Sequence, residues 1–213
     1  MLDKKHIKVC GLTRAHDVEQ VLRFGGDYCG FIVYAPSPRA ISIDKAQELS
    51  ARVPVGKRVL VDVTPSIDSL KKQVDGGFDF FQIHTDASVG ERVLEQWADT
   101  VGVDRLWLAP RLKPGDVFPE YFLKYAASFL VDTYSSGQVG GTGQTGDWGS
   151  FSSWKALYPS KQWILAGGLK PENVMRAIVQ TGADHLDLNS GLESAPGQKD
   201  PAKIKALFKV LKP

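Results

Sequence analysis

The feature that most constrains the fold is an alternation that runs from end to end. Apolar, β-branched or aromatic segments recur at Ile7–Cys10, Tyr28–Tyr34, Arg58–Val63, Phe78–His84, Arg105–Arg111, Ser128–Tyr134, Gln162–Ala166 and His185–Leu188. Gly, Pro or charged residues bound each of them, as expected of strands. Between them the apolar spacing becomes helical, as in Asp17–Leu22, Ser66–Val74, Gly90–Ala98, Pro171–Val179 and Pro201–Leu211. Ser42 and Ser66 have the chemistry of helix N-caps, and Pro171-Glu172 suits a first helical turn.

Strands that alternate with helices run parallel, because each helix carries the chain back to the same end of the sheet. Eight repeats in 213 residues close most economically as a (β/α)8 barrel, an α/β fold of the TIM type. The rival is an open doubly wound sheet, but the first strand-to-helix turn, Cys10-Gly11-Leu12-Thr13-Arg14, lacks the glycine spacing of a dinucleotide fold. No composition break divides the chain, so residues 1–213 are expected to form one catalytic domain.

Charge and composition exclude several functions. A formal net charge of +2 with scattered Lys and Arg offers no footprint for nucleic acid. No apolar run approaches the ~20 residues of a membrane-spanning helix, so no membrane partner is expected. Cys10 and Cys29 have no metal-ligand spacing, and a chain of this size needs no disulfide, which points to a reducing cytoplasm. Trp97, Trp107, Trp154 and Phe118 are read as core before interface, and the chain as a monomer or a homodimer.

Three glycine-bearing turns follow successive strands: Val139–Gly143, Ala166–Leu169 and Asn189–Leu192. Turns that free backbone N–H groups at strand ends hold phosphate without a cluster of cationic side chains, and a barrel phosphate usually sits after strands seven and eight. A phosphate is therefore expected on the amides of Gly141, Thr142, Gly143, Gly167, Gly168, Ser190 and Gly191. Side-chain parity adds that Lys8 shares a face with Cys10, Gln82 with His84, Leu130 with Asp132 and Asp187 with Asn189. If these faces point inward, the upper barrel is lined by ionisable groups, which are costly to bury unless paired or used.

The residues Lys8–Arg14, Gly30-Phe31, Ser37-Pro38-Arg39, Gln82-Ile83-His84, Val131-Asp132-Thr133, Gly140–Gly143, Asp147-Trp148, Ala166–Leu169, Pro171–Val174, Ser190–Glu193, Pro196-Gly197 and Lys199-Asp200 occur in this order. Their succession closely resembles the phosphoribosylanthranilate isomerase family of tryptophan biosynthesis over nearly the whole chain. Thr85 stands where the family usually has Gly, Gly146 where it usually has Phe, and Val59–Val63 departs from its common third strand.

The resemblance implies an Amadori rearrangement of N-(5-phosphoribosyl)anthranilate to 1-(2-carboxyphenylamino)-1-deoxyribulose 5-phosphate. It also implies a general base at Cys10, a general acid at Asp132, an anthranilate-facing arginine at Arg39, and no cofactor or metal. Asp187 is placed at the mouth, either to orient substrate hydroxyls or to pair with Lys8. His84 is read as holding a fixed hydrogen bond, and His6, His16 and His185 as remote from chemistry. Two alternatives are a different phosphosugar isomerase or epimerase on the same barrel, and a non-catalytic barrel that binds a phosphoribosyl compound.

Overall fold

The structure, a computed structural model, describes residues 4–113, 115–132 and 148–211. Eight strands form a closed parallel barrel: β1 (His6–Val9), β2 (Tyr28–Ile32), β3 (Arg58–Val63), β4 (Phe80–Asp86), β5 (Leu106–Arg111), β6 (Ser128–Val131), β7 (Gln162–Leu165) and β8 (His185–Leu188). Closure comes from β1 pairing with β8, with Lys8 opposite Asp187. Around it lie α1 (Ala15–Arg23), α2 (Ile43–Ser50), α3 (Ile67–Val74), α4 (Glu91–Val101), α5 (Trp148–Leu157), α6 (Val174–Thr181) and α7 (Pro201–Leu211). A short hairpin, β9 (Glu193–Ala195) with β10 (Gln198–Lys199), follows β8.

Local chemistry explains most of the boundaries. The Ser42 and Ser66 hydroxyls accept from the amides of Lys45 and Ser69, each at 3.2 Å, and so start α2 and α3. Two places differ from the sequence pattern. The connection from β5 to β6 holds a 3₁₀ turn, Glu120–Lys124, in place of a full helix. Pro114, Gly115 and Pro119 crowd this segment, and proline supplies no N–H to a helix interior.

The second difference is at Pro171-Glu172, which precedes α6 instead of opening it. Asn173 folds this stretch into a separate turn. Its side chain accepts from the Lys170 amide and donates to the Gly168 carbonyl, both at 2.9 Å. That turn ties the loop after β7 to the start of α6.

The core has two parts. One fills the space between barrel and helices and includes Cys29, Trp97, Phe118 and Trp154. The other lies inside the barrel, where Val59, Val61, Trp107, Leu130 and Ile164 pack together with Tyr28 and Phe80 at its margin. Tyr28 meets Trp107 edge to face at 5.1 Å. This plug makes the barrel a packed cylinder, with an open cavity at its carboxyl-end mouth.

At the foot, His6 stacks on His185 with ring centroids 4.5 Å apart. Asp184 there binds Lys5 at 2.9 Å and Lys155 at 2.5 Å. Among the described residues no helix is long and apolar enough to cross a membrane.

Candidate active site

The parallel register carries the inward face of each strand up to one cavity of about 700 Å³, open to solvent at the carboxyl ends. Cys10, Arg39, Asp132, Asp187, Gly167, Gly168 and Ser190 all line it. Seven residues that the sequence singled out thus meet in one place. Gly191 stands just behind, its backbone against Leu169. Gly141, Thr142 and Gly143 lie outside the described residues.

Cys10 follows directly on β1, and its amide donates to the Leu188 carbonyl at 2.9 Å, so the loop after β1 is anchored to β8. The thiol is buried, and burial pushes it above the ordinary thiol value, against the pull of Lys8. Asp132 follows β6, half-buried after the apolar Phe129-Leu130-Val131. Cys29 faces the outer core, where burial takes its thiol up to about 12. It is inert as a base at neutral pH.

Parity and register bring Lys8 and Asp187 together as an ion pair at 3.0 Å, with both residues buried. Burial disfavours the Lys8 cation, but Asp187 and Cys10 together outweigh it and hold the ammonium above its usual value. Burial likewise pulls the Asp187 carboxyl up. His84 is lowered to about 4 by burial, then by Lys8 and Arg111, so its ring is neutral. Gln82 and His84 pair through their Nε2 atoms at 2.9 Å, whereas the buried Gln82 Oε1 has no partner among the described residues. An orphaned acceptor in a cavity wall suits a ligand hydroxyl.

Arg39 and Glu193 form a two-pronged pair. The guanidinium Nε donates at 2.9 and 3.1 Å to the two carboxylate oxygens, and Nη2 donates at 2.7 Å. This leaves the Nη1 edge of Arg39 without a partner among the described residues. Lys199, 1% exposed, donates to the same carboxylate at 2.9 Å and to Asn189 Oδ1 at 2.8 Å. Burial would raise the Glu193 carboxyl, but Arg39 and then Lys199 hold it below the usual range.

Glu193 and Lys199 escaped assignment from sequence, although both lie in the quoted motifs. The available signal was two charges flanking the Pro196-Gly197 turn, where a hairpin sets them face to face. Their link to Arg39, 154 residues away, has no local trace.

Gly167 and Gly168 have φ of 84° and 62°, a left-handed run that turns their amides outward. Among the described residues, no acceptor pairs with the amides of Gly167, Gly168, Ser190 or Gly191. At Gly191 a Cβ would stand 2.0 Å from the Leu169 carbonyl oxygen, so only glycine lets the loops after β7 and β8 touch. Gly191→Ala is expected to cost ~1–3 kcal/mol by overpacking and to spread these loops. Urea denaturation and inhibition by inorganic phosphate measure the two effects; an unchanged stability and inhibition constant would show that the approach is dispensable.

A plugged parallel barrel with a thiol, a carboxyl and buried cations gathered at the carboxyl ends of its strands is a (β/α)8-barrel enzyme. The family model described as N-(5'-phosphoribosyl)anthranilate (PRA) isomerase matches residues 7–210, and the chain belongs to that family. It is 37% identical over 213 residues to the N-(5'-phosphoribosyl)anthranilate isomerase of Pseudomonas putida, covering 96% of each chain. It is 34% identical over 211 residues to that of Synechococcus elongatus, covering 96% of this chain and 95% of the other. A crystal structure of phosphoribosyl anthranilate isomerase in complex with reduced 1-(o-carboxyphenylamino)-1-deoxyribulose 5-phosphate superimposes with a TM-score of 0.80. It is 26% identical and each chain is covered to 98%.

Proposed function

We propose that this chain isomerises N-(5-phosphoribosyl)anthranilate to 1-(2-carboxyphenylamino)-1-deoxyribulose 5-phosphate, the aldose-to-ketose step of tryptophan biosynthesis, in the cytoplasm. The observation that carries this reading is that a family member holds Cys10 and Asp132 in the wall of one cavity. The ligand of the superimposed relative is a reduced form of the same product.

The chemistry follows from the substrate. Asp132 gives its proton to the ring oxygen as the C1–O bond breaks, and the anthranilate nitrogen takes up the positive charge as an iminium ion. Cys10, as thiolate, removes the proton from C2, and the electron pair of that bond neutralises the iminium to give an enolamine. C1 then gains a proton while the C2 hydroxyl loses one, which leaves the ketone. The substrate's own nitrogen is the electron sink, so the sequence of steps balances without a redox partner.

The remaining groups hold the substrate. The free amides of Gly167, Gly168, Ser190 and Gly191 bind the phosphate as backbone donors of the turns after β7 and β8. The open Nη1 edge of Arg39 takes the anthranilate carboxylate, and Asp187 meets a sugar hydroxyl while paired with Lys8. Binding energy from the non-reacting phosphate can offset the cost of orienting C2.

Because anthranilate adducts fluoresce, mixing purified chain with phosphoribosylanthranilate tests the proposal. Continuous loss of fluorescence, proportional to enzyme, is expected. A saturable spectral shift without loss would mark a binding protein and overturn the reading.

A further inference from the structure

The titratable and charged groups that act on Cys10 or share the mouth with it come from several sides: Lys8 on β1, Asp187 on β8, Lys199 on β10, Arg39 after β2, His84 on β4 and Asp132 after β6. Behind Arg39 and Lys199 stands Glu193. The His84 ring is neutral. Among the described residues the cations are Lys8, Arg39 and Lys199, and the carboxyl groups are Asp132, Asp187 and Glu193. Two of the cations, Lys8 and Lys199, are 1% exposed. A buried cation is costly, and a negative charge arising beside it relieves that cost.

Of these cations Lys8 is best placed to act at the sulfur. A Cβ built on Gly30 would lie 3.0 Å from Cys10 Sγ and 3.0 Å from Lys8 Nζ, so the thiol and the ammonium border the same small space. Gly30 sits in the middle of β2 with ordinary extended backbone, and its lack of a side chain serves space, not conformation. Any larger residue would wedge between the two groups. Asp187 holds Lys8 from the other side at 3.0 Å and fixes where the ammonium points. Lys8 favours the Cys10 thiolate by charge and by hydrogen bond, Asp187 opposes it, and Lys199 adds a weaker pull in the same direction as Lys8.

We propose that Lys8 is a positioning residue for proton abstraction: tethered by Asp187, its ammonium stands beside Cys10 and stabilises the thiolate in which Cys10 works as a base. The inference rests on the reading of Cys10 as the base at C2. It adds a source for the thiolate, which a buried cysteine lacks on its own. It also separates the two carboxyls at the mouth, Asp132 as proton donor and Asp187 as a restraint on the ammonium.

The test reads the thiol directly and needs no substrate. Ultraviolet thiolate absorbance is titrated in each protein and in its Cys10→Ala counterpart, and the difference isolates Cys10. Lys8→Met is expected to move the titration to higher pH, with an about tenfold or greater loss of thiolate at a fixed pH below the midpoint, one pKa unit being a factor of ten. Asp187→Asn is expected to move it to lower pH, because the negative charge that opposes the thiolate is removed while the cation stays and the amide can still accept from it. Shifts of opposite sign support the assignment. Shifts of the same sign, or none, overturn it, since general structural damage does not reverse direction between the two variants.

If Lys8→Met does not fold by circular dichroism, the paired change Lys8→Met/Asp187→Asn, which leaves neither partner of the buried pair unmatched, is compared with Asp187→Asn: a higher midpoint in the double variant supports Lys8 and an equal or lower one refutes it. Turnover of phosphoribosylanthranilate is measured separately on the same proteins. Opposite shifts in a chain that does not turn over this substrate would leave the thiolate assignment standing and refute the isomerase. Turnover without opposite shifts would do the reverse.

Discussion

Cys10→Ala and Asp132→Asn are each expected to lower kcat by ~10²–10⁴-fold, the usual contribution of a positioned base or acid. Neither change should much alter phosphate binding, because the amides of Gly167, Gly168 and Ser190 are backbone groups that neither substitution removes. Steady-state kinetics beside inhibition by inorganic phosphate separate the two. A kcat near that of the parent in either variant would remove that residue from the mechanism. The pH profile carries a sign as well. As the proposed base Cys10 would act deprotonated, and burial holds its thiol above the ordinary value, so kcat/KM should climb with pH through the neutral and mildly alkaline range.

The second large effect is structural. Glu193 is the shared counter-charge of Arg39 and Lys199, bound at 2.7 and 2.9 Å. Glu193→Ala leaves two buried cations uncompensated, and breaking a buried pair in this way costs ~3–5 kcal/mol. Urea denaturation near neutral pH measures the loss, and a loss well under 1 kcal/mol would show that the network is not a structural element. The same group makes the protein sensitive to acid. Its folded-state carboxyl lies below the usual range, so its contribution is present above the ordinary carboxylate value and disappears as pH falls through the lowered one. Glu193→Ala should therefore flatten the acid limb of the stability profile.

The cylinder was legible because its periodicity is local. Strand-length apolar runs and serine caps at Ser42 and Ser66 act within a few residues of where they are read. The departures arose where a distant or side-chain partner decides. Pro171-Glu172 has the composition of a helix start, yet the Asn173 side chain makes a turn of it by bonding back to Gly168 and Lys170.

The site divides in the same way. Inward parity placed Lys8, Cys10, Asp132 and Asp187 at one rim, since a period of two fixes the face once the strand is known. Parity cannot say that Arg39 presents its Nε edge to Glu193, or that Lys199 enters from a hairpin after the last strand. Those contacts exist only once the barrel has closed. Gly30 shows the point most sharply: in sequence it is one more glycine, and in the fold it is the space that lets an ammonium meet a thiol.

The most direct test is a crystal structure of this chain with the reduced product bound. The expected result has phosphate oxygens on the amides of Gly167, Gly168 and Ser190, with Cys10 Sγ ~3–3.5 Å from C2, the separation of a near-attack arrangement. The Asp132 carboxyl should face the opposite side of the sugar, at the oxygen that closes the ring. A phosphate bound elsewhere, or a sulfur out of contact with C2, would contradict the isomerase assigned to this barrel.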